Sequence, residues 1–194
     1  IGNVDTAIAL YTRVLEIDGA HLAAAESLER LFRVTERYAE LSQILQRKAT
    51  ILQEPQEQKD ALFQAAQIEE DVLEQAEAAI AVYQKVLAID EDDVKALDAL
   101  IKRYLGLSRW QDLLSVYERK ADLVGDPDEK KRIYYQVGAV YERELGSVEQ
   151  AKAFYEQHFG LREHVRHGDV VFLRDDAGIV LALAPSDQPD VMPP

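Results

Sequence analysis

The sequence predicts a mostly α-helical chain, a right-handed α-solenoid of antiparallel helix pairs that ends in a small three-stranded β-meander. Two observations lead to this prediction. Residues 7–18 return in closely similar form as residues 79–90, an offset of 72 positions that holds without a gap. Apolar residues recur every three or four positions up to about residue 163, and only beyond it do they fall into short strand-like runs.

Composition limits the classes of function. The 194 residues include 22 Lys and Arg against 36 Asp and Glu, a formal net charge of −14. Such a balance disfavours nucleic-acid binding, which requires clustered cations. The absence of cysteine excludes thiol catalysis, disulfides and cysteine metal sites. The longest apolar runs are far shorter than the roughly 20 residues that a membrane-spanning helix needs.

Each copy of the repeat is predicted to contain four helices, because its apolar residues form four groups with helical spacing. One helical hairpin cannot bury its own apolar stripe, so the hairpins should stack on their neighbours. In the first copy, residues 28–45 and 62–87 carry the helical spacing. Two helix starts are also indicated in the second copy. Ser108 with Gln111 fits a capping box, and Asp126 stands before a proline in the first turn.

One segment resembles the tetratricopeptide repeat. It reads Val137-Gly138-x-x-Tyr141 and is followed by Ala151 and Tyr155. In that family the first helix of each pair, helix A, offers a small residue and an aromatic. The second helix, helix B, supplies an alanine and an aromatic to pack on them. The resemblance covers residues 1–157.

The spacing of the repeats departs from the uniform spacing of that family. The positions equivalent to Ala151 on the earlier B helices are Ala7, Leu41, Ala79 and Leu113, so the intervals alternate between 34 and 38. We therefore expect longer turns in every second repeat.

The resemblance implies that a concave surface lined by helix A residues holds a peptide or partner helix. It predicts a protein-protein interaction scaffold with a protein or peptide partner, no cofactor and no catalytic residue. The competing interpretation of each charged position is an ordinary solvated helix side. Phe63 and Tyr135 are the better candidates, because exposed aromatic residues are enriched at interfaces. The predicted groove residues are Glu26, Arg30, Arg33, Phe63, Gln67, Glu70, Lys95, Asp98, Lys102, Tyr135 and Glu142.

Beyond Tyr155 the repeat diverges, and three short apolar runs separated by Gly- and Asp-bearing turns predict a meander. We expect helix 148–160 to cover it through Phe154 and Phe159. The expected divisions are helical repeats over 1–157, an appendage over 158–184 and a mobile Pro-rich tail over 185–194. The strand residues expected to face the helix are Val171, Leu173, Ile179, Leu181 and Leu183.

This C-terminal segment also resembles another family. Ala151-x-x-Phe154-Tyr155, Phe159-Gly160-Leu161 and the last two apolar runs are similar to the first module of the glyoxalase/bleomycin-resistance (vicinal-oxygen-chelate) superfamily. The resemblance implies an alternative function, a small-molecule-binding or metal-dependent lyase or dioxygenase-type protein that is present here as an incomplete module. Ala182 occupies the position that often carries a metal-binding glutamate in that family.

The histidines do not predict a metal site. His158, His164 and His167 lie within ten residues of one another, near Asp169. His164 and His167 are three apart on a predicted strand and should point to opposite faces, so joint ligation is awkward. The chain begins at Ile1 rather than Met, and we expect both of its ends to be cut from a longer chain. The oligomeric state and the cellular compartment stay open.

Overall fold

The computed structural model describes residues 2–178 and 180–185. In that part of the chain nine α-helices precede three β-strands, so the prediction of a mostly helical chain with a small C-terminal sheet is confirmed. Helices α4 and α8 each continue into a five-residue π-helical turn, Ile68–Val72 and Val140–Glu144. The elements are α1 Gly2–Ile17, α2 Leu22–Val34, α3 Tyr38–Ile51, α4 Pro55–Gln67, α5 Ala76–Ile89, α6 Val94–Gly106, α7 Trp110–Leu123, α8 Pro127–Ala139, α9 Val148–Phe159, β1 Arg162–His167, β2 Val170–Arg174 and β3 Val180–Leu183.

The repeat offset found in the sequence holds for the backbone as well. Helices α6, α7 and α8 begin and end at positions that are shifted by this offset from the bounds of α2, α3 and α4, and the two π-helical turns are related in the same way. Backbone angles repeat too, since the left-handed residues Glu36 and Glu74 have left-handed equivalents at Ser108 and Gly146. The helix B positions of the repeat fall on α1, α3, α5, α7 and α9. The odd-numbered helices are therefore the B helices, and the even-numbered helices are the A helices.

The expectation of longer turns in every second repeat is wrong. Helix α2 has 13 residues, whereas α4 has 13 and then runs on through five more in its π-helical turn. The connections 35–37 and 73–75 are equally short. A π-helical turn takes extra residues into a helix without breaking it, so every second A helix, and not a turn, accounts for the longer interval.

Turns between A and B helices close on a left-handed residue. In the first of them Glu36, with φ 55°, follows the end of α2, and the Arg37 N–H donates to the Phe32 carbonyl at 2.9 Å. This is the Schellman arrangement of a helix C-terminus. Ser108, with φ 54°, is its equivalent after α6. The expected capping box at Ser108 is therefore wrong, because Ser108 lies in the turn after α6 and Arg109 is the N-cap of α7.

The second predicted helix start is confirmed. The Asp126 side chain accepts a hydrogen bond from the Asp128 N–H at 3.2 Å, and Pro127 begins α8. Proline fits the first helical position because its missing N–H would have no partner inside the helix.

The chain divides into two compact units between residues 103 and 104. In the first unit, helices α1 to α5 each pack on the next. In the second, α7 packs on α8, α8 on α9, and α9 on strands β2 and β3. Helix α9 and the sheet share one core. The boundary expected at residue 157, between the helical repeats and the appendage, stays a prediction.

The sheet is antiparallel with the order β1-β2-β3, and the predicted meander is confirmed. Val171 pairs with Leu183 and Leu173 with Leu181. The core beneath the sheet contains Val148, Ala151, Tyr155, Leu161, Val171, Leu173 and Leu183, with Phe159 and Leu181 partly buried against it.

One expectation about this core is wrong. Tyr155, rather than Phe154, packs beneath the strands together with Phe159. Helical spacing places Ala151, Tyr155 and Phe159 on one face of α9, and Phe154 turns away from it. Ile179 and the tail residues 186–194 lie outside the described residues.

A tyrosine from helix B packs on a small residue of helix A in the second unit. Tyr155 is 2% exposed, and a Cβ added at Gly138 would overlap its ring. Its hydroxyl donates to the carbonyl of Tyr135 at 3.3 Å. The equivalent residues of the first unit are Ala66 and Tyr83, both buried. Gly138 therefore allows a closer approach of the ring to the helix A backbone.

Gly138→Ala should lower the free energy of unfolding by about 2 kcal/mol, because the overpacking cost exceeds the gain in helix propensity. Gly106→Ala is the matched control. Gly106 is also helical, but nothing lies within 4 Å of an added Cβ, so the change should be neutral or stabilising. Urea denaturation of the two variants measures the difference, and equal stabilities would show that the ring does not need the glycine.

Glu74→Gly should stabilise the chain by about 0.5–1 kcal/mol, because a non-glycine residue pays to adopt a left-handed backbone. Gly146→Ala, at the equivalent position with φ 60°, should destabilise by a similar amount. Thermal unfolding of the pair checks the prediction, and shifts of the same sign would contradict the equivalence of the two turns.

Candidate partner-binding surface

All of the predicted groove residues lie on A helices or on their π-helical turns. Nine of them belong to the first unit and two to the second. Glu26, Arg30 and Arg33 lie on α2, Phe63 and Gln67 on α4, Glu70 in the π-helical turn after α4, Lys95, Asp98 and Lys102 on α6, Tyr135 on α8, and Glu142 in the π-helical turn after α8.

Residues of α2 and α4 meet in the first unit. Arg33 and Gln67 line one cleft of about 170 Å³. The Arg33 guanidinium donates to Gln64 at 3.2 Å and to Glu29 at 3.1 Å. Glu26 instead lines a different cleft of about 360 Å³, which α3 also borders. The structure thus brings Arg33 and Gln67 together and places Glu26 elsewhere.

Glu70 is already engaged by the protein itself. Its carboxylate accepts a hydrogen bond from the Tyr83 hydroxyl at 3.0 Å and is 2.6 Å from the Arg103 guanidinium. Lys102 approaches it at 3.8 Å. Burial, and then the hydrogen bond to Glu70, raises the pKa of Tyr83 to about 12. A partner would have to compete with these contacts, so Glu70 mainly ties the π-helical turn to α5 and α6.

Glu142, the equivalent of Glu70 in the second unit, has a different environment. It is half-buried and accepts a hydrogen bond from the Ala184 N–H at 3.3 Å. Burial raises the pKa of its carboxyl above the usual range. The residue just after β3 therefore occupies the Glu142 carboxylate, and this side chain is not free to meet a partner.

The two predicted aromatics differ in exposure. Tyr135 is 50% exposed, with its ring centroid 6.2 Å from that of Tyr155. Phe63 is half-buried, and its ring centroid lies 6.1 Å from that of Tyr83. Tyr135 therefore offers more accessible ring surface, although both residues stand at the same place in their units.

Free cations remain on the A helices of the first unit. Arg30 on α2 and Lys95 on α6 are exposed, and neither forms an ion pair with a residue that the structure describes. Lys102 is largely exposed despite its approach to Glu70. Arg30, Lys95 and Lys102 are thus exposed cations in a chain of net charge −14.

Sequence reasoning missed a buried polar pair in the first unit. Glu69 is only 7% exposed, and the Ser42 hydroxyl donates to its carboxylate at 2.5 Å. The equivalent residues of the second unit are Tyr141 and Leu114, an aromatic and an aliphatic side chain. Aligning the two copies could have revealed the pair, because both positions change from polar to apolar together. The first unit thus has a buried hydrogen bond where the second unit has an aliphatic and an aromatic side chain.

The histidines in the described part of the chain do not form a metal site. Among residues 2–178 and 180–185, no group of three or more His, Cys, Asp or Glu side chains could hold a metal ion. His158, on α9, packs between the rings of Tyr134 and Phe154, whereas His164 and His167 lie on β1. The helices in the described part of the chain are too short or too polar for one of them to cross a membrane.

Comparison with known proteins agrees with the repeat assignment. Residues 131–164 match the family model of the tetratricopeptide repeat. This segment contains Gly138, Tyr141, Ala151 and Tyr155, the residues on which the resemblance rested. The chain is thus a helical repeat protein in which one segment matches that family. The resemblance to the glyoxalase superfamily finds no support in these comparisons.

Several solved structures are similar to the chain, whereas a search of the curated proteins finds no match. The MamA protein has 18% identity over 82% of this chain and 82% of that chain, with a TM-score of 0.45. YrrB, described as a TPR protein with an unusual peptide-binding site, has 18% identity over 82% and 78%, with a TM-score of 0.44. BtubC (BKLC) from P. vanneervenii has 14% identity over 86% and 74%, with a TM-score of 0.43.

Ser42→Leu and Glu69→Tyr should each lower the free energy of unfolding by about 1–3 kcal/mol, because each leaves a buried polar group without its partner. The double variant carries the residues of the second unit and should recover at least about 1 kcal/mol of the summed losses. A double-mutant cycle by urea denaturation measures this coupling. Simple additivity would show that the two positions are independent.

Proposed function

We propose that the chain is a protein-protein interaction scaffold that binds a peptide or partner helix through exposed residues of its A helices, without catalytic activity of its own. The observation that carries this proposal is the set of unpaired or weakly paired cations Arg30, Lys95 and Lys102 on α2 and α6. The match of residues 131–164 to the tetratricopeptide repeat supports the same class of function.

The chemistry of the surface favours an acidic partner segment. Exposed cations on an otherwise acidic protein attract negatively charged segments of a partner and repel basic ones. Arg33 and Gln67 border the cleft between α2 and α4 and offer hydrogen-bond donors there. Exposed aromatic rings supply apolar contact area in interfaces, and Tyr135 offers one in the second unit.

The test begins with peptides selected from a random library on the full chain. Their affinities are then measured by fluorescence anisotropy for the wild type, for Arg30→Ala combined with Lys95→Ala, and for Tyr135→Ala. The cation variant should lose about tenfold in affinity, and the loss should shrink at high salt. All these side chains are exposed, so the variants should fold.

Arg13→Ala is the matched control, because Arg13 is an exposed cation on the B helix α1. Its affinity should stay within about twofold of the wild type. Selected peptides that bind the Arg30/Lys95 and Tyr135 variants as tightly as the wild type would contradict binding through the A helices.

A further inference from the structure

A further cleft lies in the second unit, and none of the proposed A-helix residues lines it. Its volume is about 460 Å³, and it is bordered by α7, by α8 with its π-helical turn, and by α9. Helices α7 and α9 carry none of the predicted groove residues. The side chains that matter here are Glu118, Asp122, Tyr134, Tyr141, Phe154 and His158.

The first unit has an equivalent cleft with different chemistry. Its volume is about 280 Å³, and it is lined by Gln46, Thr50 and Leu62, which the repeat offset relates to Glu118, Asp122 and Tyr134. Two neutral polar side chains have thus become carboxylates, and a leucine has become a tyrosine. On α9, Phe154 and His158 similarly replace two valines. The helix bounds are nearly the same, so the difference comes from side chains.

The rings form one connected aromatic wall. The Tyr134 and Phe154 centroids are 5.6 Å apart, with an interplanar angle of 84°. His158 lies 4.2 Å from Tyr134 and 4.4 Å from Phe154, and Tyr141 is 6.1 Å from Phe154. Burial lowers the pKa of His158, so its imidazole is mainly neutral near pH 7. The wall therefore presents aromatic faces without adding positive charge.

Cation binding at this cleft already has an internal example. The Lys130 ammonium lies 5.6 Å from the centre of the Tyr134 ring and 4.0 Å from the Asp122 carboxylate. Glu118, the other carboxylate at the cleft, is exposed and forms no ion pair or hydrogen bond with any residue in the described ranges. One carboxylate beside an aromatic wall thus remains available to a further cation.

We propose that this cleft binds an arginine side chain of a protein partner, with the guanidinium stacked on the Tyr134 ring and donating hydrogen bonds to Glu118. A guanidinium is planar and weakly hydrated, so it can stack on a ring while its edge donates to a carboxylate. An ammonium has no flat face for such stacking. The volume exceeds that of one side chain and leaves room for neighbouring residues of the partner.

The experiment titrates three short peptides into the full chain and follows backbone amides by NMR. The probes are otherwise identical acetylated, amidated glycine peptides with a central arginine, lysine or citrulline, since citrulline keeps the shape of arginine without its charge. The arginine peptide should shift the amides near Glu118, Tyr134 and Phe154 and bind at least about fivefold more tightly than the lysine peptide. The citrulline peptide should not bind measurably.

Variants make the assignment specific. Glu118→Gln and Tyr134→Leu introduce the residues of the first unit and should each weaken the arginine peptide about tenfold. Asp128→Asn removes an exposed carboxylate of α8 that does not line the cleft, and Tyr135→Ala alters the proposed A-helix surface. Both of these variants should bind the arginine peptide like the wild type.

Three results would overturn the proposal. The first is equal binding of the citrulline peptide, which would show that charge is not recognised. The second is lysine binding as tight as arginine binding, which would remove the stacking argument. The third is a set of shifted amides away from α7, α8 and α9. Because Tyr135→Ala should leave this binding unchanged, the outcome is independent of the function proposed for the A helices.

Discussion

Packing of a helix B tyrosine on a small residue of helix A is the contact on which the rest of each unit depends. Tyr155 lies against Gly138, and the buried residues Tyr83 and Ala66 stand at the equivalent positions of the first unit. The hydroxyl of each tyrosine then reaches a group on helix A or its π-helical turn, the Tyr135 carbonyl in one unit and Glu70 in the other. A buried ring with a satisfied hydroxyl fixes both the distance and the register of the two helices.

Fixed register explains why the backbone repeats so closely while the surfaces diverge. The π-helical turns and the left-handed residues that close them recur at the same offset. Side chains between these points can change in compensating pairs, as the hydrogen bond between Ser42 and Glu69 gives way to Leu114 and Tyr141. The aromatic and acidic cleft of the second unit is a larger change of the same kind, made on an almost unchanged set of helices.

The sequence was sufficient to predict the helices, the offset and the meander, because each leaves a periodic or composition signal. The contact between a small residue and an aromatic was implied by the resemblance to the tetratricopeptide repeat. The sequence could not place the extra residues of every second repeat, since the longer of the two intervals fits a longer helix and a longer turn equally well. Nor could it choose between Phe154 and Tyr155, which are adjacent aromatics separated only by their direction around α9. The ion pair between Glu70 and Arg103 could not be predicted from the sequence either, because it depends on where α6 lies.

The claim that the same π-helical turn recurs in both units is tested most directly by NMR scalar couplings across hydrogen bonds. The structure has the Leu73 N–H donating to the Ile68 carbonyl at 3.0 Å and the Leu145 N–H donating to the Val140 carbonyl at 3.0 Å. We expect a coupling from each amide to the carbonyl five positions earlier, as in a π-helical turn. Couplings to the carbonyls of Glu69 and Tyr141, four positions earlier, would instead show ordinary α-helices and contradict the account.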